Sequence, residues 1–164
     1  MSIPFPGREV KCKDEWLTPK YLTDALGEFD LDPCAPINPP WMIAKTKLDI
    51  RDDGLSQSWF GRVWCNPPYG RETFKWLDKL ADHGNGIGLI FARTETVGFF
   101  KTVWAKADAV FFLKGRLTFC HVDGTPGSGN AGAPSCLILF GKNNIDIVNS
   151  ADIAGKMVRL TNAN

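Results

Sequence analysis

Residues 61–70 read GRVWCNPPYG, and this stretch changes character half-way along. Val63, Trp64 and Cys65 favour a strand, whereas Asn66, Pro67, Pro68 and Tyr69 end it, because proline has no backbone donor and fixes φ. A short strand therefore runs into a stiff turn. Beyond it Phe74, Leu77, Leu80 and Ala81 recur at helical spacing, with His83 near the end and Gly84 as the stop. GIGLIFA at 86–92 is a continuous apolar run, as expected of a strand covered on both faces. Val97, Phe100, Trp104 and Ala107 restore the helical period, and AVFFL at 109–113 is apolar again. The order strand, helix, strand, helix, strand predicts an α/β fold with a mostly parallel sheet.

Upstream, Thr18 and Pro19 read as the N-cap and first residue of a short helix over 19–26 that Gly27 stops. FDLDP at 29–33 then reads as a strand ending at its proline. Downstream, AVFFL and SCLILFG have no obvious helix between them, so an antiparallel hairpin connects them. Between these runs lies HVDGTPGSGNAGAP, 121–134, which reads as a mobile loop. The tail 143–164 holds Ile145, Val148, Ile153, Met157 and Leu160, readable as a helix or as partly frayed, and no function is assigned to it.

The chain has 164 residues, 44% hydrophobic and 23% charged, which suits one domain over 1–164 with a core at about 16–141 and a tail at 142–164. A chain of this length buries roughly 70% of its unfolded surface, so it needs no staples. The cysteines at 12, 34, 65, 120 and 136 form no CxxC pair, which points to a reducing cytoplasm and gives no support for a zinc cluster. The N-terminus MSIPFPGREVKCKDEW contains no apolar h-region, and no run approaches the roughly 18 apolar residues of a membrane span. Net charge is +1, but residues 21–60 hold seven acids against three bases, so the remainder is basic. That division allows an acidic pocket for a cationic small molecule beside a face for a polyanion. Scattered solvated charges would give the same count.

The chemistry lies in the turn. An exocyclic amine on adenine is a poor nucleophile because its lone pair is delocalised into the ring. Two acceptors that take its hydrogens pull the nitrogen toward tetrahedral geometry, and Asn66 Oδ1 and the Pro67 carbonyl can supply both. Tyr69 offers a face on which a planar base can stack, worth about 1–3 kcal/mol. Taken alone, the same four residues also suit a plain turn with a buried tyrosine. The carboxyl edge of an open α/β sheet is where ligands bind.

Five motifs run in order: WLTP at 16–19, FDLDPCA at 29–35, DDGL with Trp59 at 52–59, CNPPYG at 65–70 and KGRLTF at 114–119. Together they resemble the amino methyltransferases that use S-adenosylmethionine, and among these the small phage-type DNA N6-adenine methyltransferases (Dam). The resemblance spans Trp16 to about Phe140. It implies a Rossmann-like methyltransferase fold and a catalytic turn of Asn66, Pro67, Pro68 and Tyr69. It also implies that Thr18 and Pro19 lie near the methionine end of the cofactor. Asp32, Pro33, Cys34 and Ala35 then form the loop after the first strand, and Asp53 accepts the cofactor's adenine amine, with Asp49 as a rival for the ribose. DPCAPINPP has no glycine where many methyltransferases have a Gly-rich turn, so the loop takes another path. Few residues separate the two motif strands, so a truncated sheet is expected.

The implied reaction is direct in-line methyl transfer to a flipped adenine in double-stranded DNA, in a host cytoplasm if phage-encoded, with restriction–modification as one context. Arg62, Arg71, Lys75, Arg93, Lys114 and Arg116 are candidates for DNA contact, Arg116 foremost because it lies in GRLTF. Competing readings are methylation of a glutamine amide or of cytosine N4, a non-catalytic DNA-binding module, and a tryptophan-rich structural protein.

Overall fold

Alternating side chains along the strands divide the core into two layers. The computed structural model describes residues 16–161; Cys12, the stretch read for a leader and the last three residues of the tail lie outside them. The elements are α1 (Lys20–Ala25), β1 (Phe29–Asp32), β2 (Ala44–Lys47), β3 (Val63–Cys65), α2 (Thr73–His83), β4 (Gly86–Phe91), β5 (Ala109–Leu113), β6 (Ser135–Phe140), α3 (Lys142–Ser150) and β7 (Gly155–Arg159). A π-helical segment, Phe99–Trp104, precedes β5.

The strands form one seven-stranded mixed sheet in the order β2-β1-β3-β4-β6-β5-β7. Neighbours from β2 to β4 are parallel, and β6 and β7 run antiparallel to the strands they join. The expected hairpin is present as the β5–β6 pair. One face packs Leu22, Leu26, Phe29, Trp64, Ile87, Leu89, Ile145 and Val148 together. The other packs Leu31, Val63, Leu77, Leu80, Ile90, Phe99 and Val103. Helix α2 lies close because β4 presents glycines to it: a Cβ on Gly86 would stand 2.8 Å from Leu80 Cδ1, and one on Gly88 2.7 Å from Leu77 Cδ2.

Three sequence expectations change, and the loop at 121–134 gains defined contacts. Pro19 is the N-cap residue of α1, with ψ 131°, so the helix starts one residue later than Thr18–Pro19 suggested. Val97 and Phe100, placed on a buried helical face, are 70% and 59% exposed. The wider π turn carries them outward and buries Phe99, Thr102 and Val103 instead. The tail is neither wholly helical nor frayed, since α3 caps the sheet and β7 extends its edge against β5. Residues 121–134 are tied down as a loop: His121 N donates to Thr125 O, Gly127 N to Phe119 O and Ala131 N to Leu117 O. Among the described residues, no helix is long and apolar enough to cross a membrane.

Candidate active site

Because β1, β2 and β3 are parallel, the segments that follow Asp32, Lys47 and Cys65 emerge at one edge of the sheet. A cavity of about 390 Å³ opens there, within the roughly 300–1,000 Å³ of small-molecule sites. Its lining brings together Thr18, Asp32, Pro33, Cys34, Ala35, Asp53, Asn66, Pro67, Pro68 and Tyr69, all singled out in the sequence. Pro19 is buried at the start of α1 and is not among the lining residues.

Asn66 follows the last strand residue directly and is held by its amide nitrogen. Nδ2 donates to Thr18 Oγ1 at 3.3 Å and to the Trp16 carbonyl at 3.5 Å. Its Oδ1 is buried with no hydrogen-bond partner. The turn is anchored by Thr73, whose hydroxyl donates to the Pro68 carbonyl at 2.6 Å. Tyr69 is half-buried, its ring stacked on Phe91 and edge-on to Phe119. Burial pushes its phenol pKa up, and its hydroxyl has no partner.

Six buried side-chain polar atoms lack a partner among the described residues, and three of them, Trp64 Nε1, Asn66 Oδ1 and Tyr69 Oη, belong to residues lining this cavity. Native proteins leave few such atoms unpaired, and half of those among the described residues belong to residues around this one cavity. The acids are in different states. Burial pushes Asp32 up to about 7, against a hydrogen bond from Cys34 N and the charge of Lys47. Asp49 is held well below the usual carboxylate range by Arg51 and Lys47, which both donate to it. Asp53 is exposed, with φ 49°.

A family model described as DNA N-6-adenine-methyltransferase (Dam) matches residues 8–157. The chain belongs to this family. No curated protein and no solved structure matches it. Membership in the Dam family makes DNA the substrate class and adenine methylation the activity in general terms.

Against that background, the basic residues sort clearly. Arg62 is no DNA contact: it is 8% exposed and lies before β3, at the end of the strand opposite the cavity. Its Nε donates to Asn144 Oδ1 and its Nη1 to the carbonyls of Leu26 and Glu28. Lys75 pairs with Glu72. Arg71, Arg93, Lys114 and Arg116 are exposed; Arg93 lies over the Phe91 ring, and Arg116 donates to the Ala131 carbonyl. The sequence reading missed Ile50, Gly54 and Trp76 as lining residues. Trp76 sits in an apolar pattern that needs no ligand and packs against the core layer of Leu77 and Leu80, so the sequence carried no signal of its second contact with the cavity. Gly54 sits so close to the Pro33 carbonyl and the Trp76 ring that a Cβ would overlap both.

Proposed function

We propose that this chain transfers a methyl group from S-adenosylmethionine to N6 of an adenine flipped out of double-stranded DNA, without a covalent enzyme intermediate. The observation that carries this reading is the buried Oδ1 of Asn66, left without a hydrogen-bond partner in a residue that lines a cavity of ligand size. An amine with two hydrogens to give away is the partner such an acceptor lacks.

The donor set suits the cofactor. Asp32, Asp49 and Asp53 surround the cavity with carboxylates, as a molecule carrying a sulfonium and an ammonium requires. When bound, the cofactor supplies a methyl carbon made electrophilic by positive sulfur. Thr18, Pro33, Cys34 and Ala35 line its methionine side, and Asp53 takes its adenine amine, since Asp49 is occupied by Arg51 and Lys47. Pro19 shapes this end from behind, through the start of α1.

Asn66 Oδ1 and the Pro67 carbonyl accept the two hydrogens of the target amine, so the nitrogen lone pair turns toward the methyl group. With the cofactor bound, its sulfonium would supply the methyl group to the nitrogen and keep the electron pair of the broken S–C bond, and the surplus amine proton would leave to solvent while Asn66 and the Pro67 carbonyl hold the amine. Pro68 stiffens the turn and Tyr69 holds the ring of the base, so that orientation and fixed acceptors supply the rate. Flipping costs a few kcal/mol, recovered by stacking on Tyr69 and hydrogen bonding. The sheet order and its antiparallel end support a Rossmann-like methyltransferase fold. Arg71, Arg93, Lys114 and Arg116 meet DNA phosphates around the slot.

Incubation with DNA and methyl-labelled S-adenosylmethionine, then digestion to nucleosides, is expected to yield N6-methyladenine, and Asn66→Ala to abolish it. Label in N4-methylcytosine or in protein glutamine alone would overturn the adenine assignment.

A further inference from the structure

The two ends of the Asn66 amide are chemically opposite: NH2 only donates and the carbonyl oxygen only accepts. Which end faces the cavity therefore decides whether the residue attracts a target amine or repels it. The structure fixes the answer through residues 48 and 50 positions earlier in the chain. The Trp16 carbonyl can only accept, so the amide end beside it must be Nδ2, and Oδ1 points the other way. Thr18 Oγ1 accepts the second hydrogen from a position that is 1% exposed, where water does not compete.

The strap carrying these acceptors is itself secured. Leu17 N donates to Cys120 O at 2.8 Å and Cys120 N returns a bond to Leu17 O at 2.9 Å. Trp16 packs its ring against His121, centroids 5.1 Å apart. Residues 16–18 are thus pinned to the end of the KGRLTF segment on one side and to the catalytic turn on the other.

We propose that Thr18 is a positioning residue: together with the Trp16 carbonyl it locks the Asn66 amide with Oδ1 toward the substrate amine. This rests on the methyl-transfer reading above, and it gives Thr18 a role separate from contact with the cofactor. Without the hydroxyl, the amide turns over more freely, and in the flipped state it sets its N–H groups against those of the adenine.

The test compares Thr18→Val, which keeps the shape and removes the hydroxyl, with Thr18→Ser, which keeps the hydroxyl, in the full chain. Thr18→Val is expected to lower kcat on DNA about 10–100-fold, less than the roughly 100–1,000-fold of removing a catalytic hydrogen-bonding group outright, because Asn66 itself remains. The loss in kcat is expected to exceed any loss of affinity for S-adenosylhomocysteine measured by calorimetry, and Thr18→Ser recovers most of kcat. In an Asn66→Ala background Thr18→Val adds no further loss, because its effect passes through that side chain. Unchanged kcat, a loss confined to cofactor affinity, or an additive effect would each overturn the proposal. Where valine impairs folding, Thr18→Ala makes the same comparison.

A readout free of activity is the side-chain NH2 signal of Asn66 in 15N-labelled protein, assigned by its disappearance in Asn66→Ala. In Thr18→Val it is expected to shift and exchange faster with water, and an unmoved signal defeats the positioning role. A wild-type chain that methylates nothing would sink the transferase reading while this signal still judged the geometry.

Discussion

Tyr69 stacks on Phe91 with ring centroids 4.4 Å apart and planes inclined by 21°. The turn after β3 is thereby braced by the last residue of the neighbouring strand β4, and Phe119 closes the edge of the tyrosine ring at 6.3 Å. A base meeting Tyr69 meets a ring whose tilt is already set.

Replacing Phe91 by Leu keeps apolar bulk and removes the stacked ring. An aromatic pair is worth about 0.5–1.5 kcal/mol beyond its buried area, or roughly 2–10-fold, so kcat/KM on DNA should fall by that factor with cofactor affinity unchanged. Steady-state kinetics with varied DNA decide it. A faster Phe91→Leu enzyme would mean that Phe91 blocks the tyrosine face instead of supporting it.

Gly54→Ala tests the wall of the cavity. Its Cβ would run into the Pro33 carbonyl and the Trp76 ring, so the loop after β2 must move away from the loop after β1. Both loops line the cavity. The expected result is a loss of S-adenosylhomocysteine affinity of about tenfold or more, with a stability cost of about 1–3 kcal/mol for overpacking. Calorimetry and thermal unfolding measure the two separately. Unchanged affinity would place the cofactor elsewhere.

How much of this was legible in the sequence depended on burial. GIGLIFA and AVFFL are central strands, and their apolar runs announce them; the stripe Leu77, Leu80 did the same for α2. The two edge strands left no such mark. Residues 44–47 read AKTK and residues 155–159 read GKMVR, each pairing on one side only and carrying lysine outward, as edge strands do. Val97 and Phe100 misled because a 3.6-residue period was applied to a stretch that winds more widely. In the site, Asn66 and its turn were visible because prolines interrupt a strand there. The bond from Asn66 to Thr18 was not, since no local pattern reports a contact across 48 residues. Arg62 read as a candidate DNA contact because a lone arginine beside glycine says nothing of the carbonyls of Leu26 and Glu28 that it meets in the fold.

The buried arginine supplies the next expectation. Arg62 joins the end of α1, the start of β1 and α3 through Leu26, Glu28 and Asn144, and its guanidinium lies 4.2 Å from the Phe29 ring centroid. Arg62→Ala strands these acceptors and is expected to cost about 2–4 kcal/mol in urea unfolding. The folded fraction should bind DNA as the wild type does, measured by anisotropy at fixed salt. A stable variant with weakened DNA binding would restore Arg62 to the interface.

Asp32 makes the behaviour of the protein depend on pH in a definite direction. Burial raises its carboxyl from 3.8 to about 7, so between these values the folded chain keeps a proton that the unfolded chain has released. Stability from this group is therefore full below about pH 4 and is lost progressively as pH rises to about 7, flat beyond that. Asp32→Asn keeps an oxygen to accept the Cys34 N–H and cannot ionise, so its advantage in thermal stability over the wild type should grow from pH 4 to 7 and then level off. Cofactor binding should run the opposite way. A sulfonium placed in this cavity favours the ionised carboxylate, so affinity for S-adenosylmethionine should rise through pH 7 more steeply than affinity for S-adenosylhomocysteine, whose sulfur is neutral. Calorimetric titration of both ligands at pH 6 and pH 8 measures the difference, and equal pH dependence would show that Asp32 does not face the sulfur.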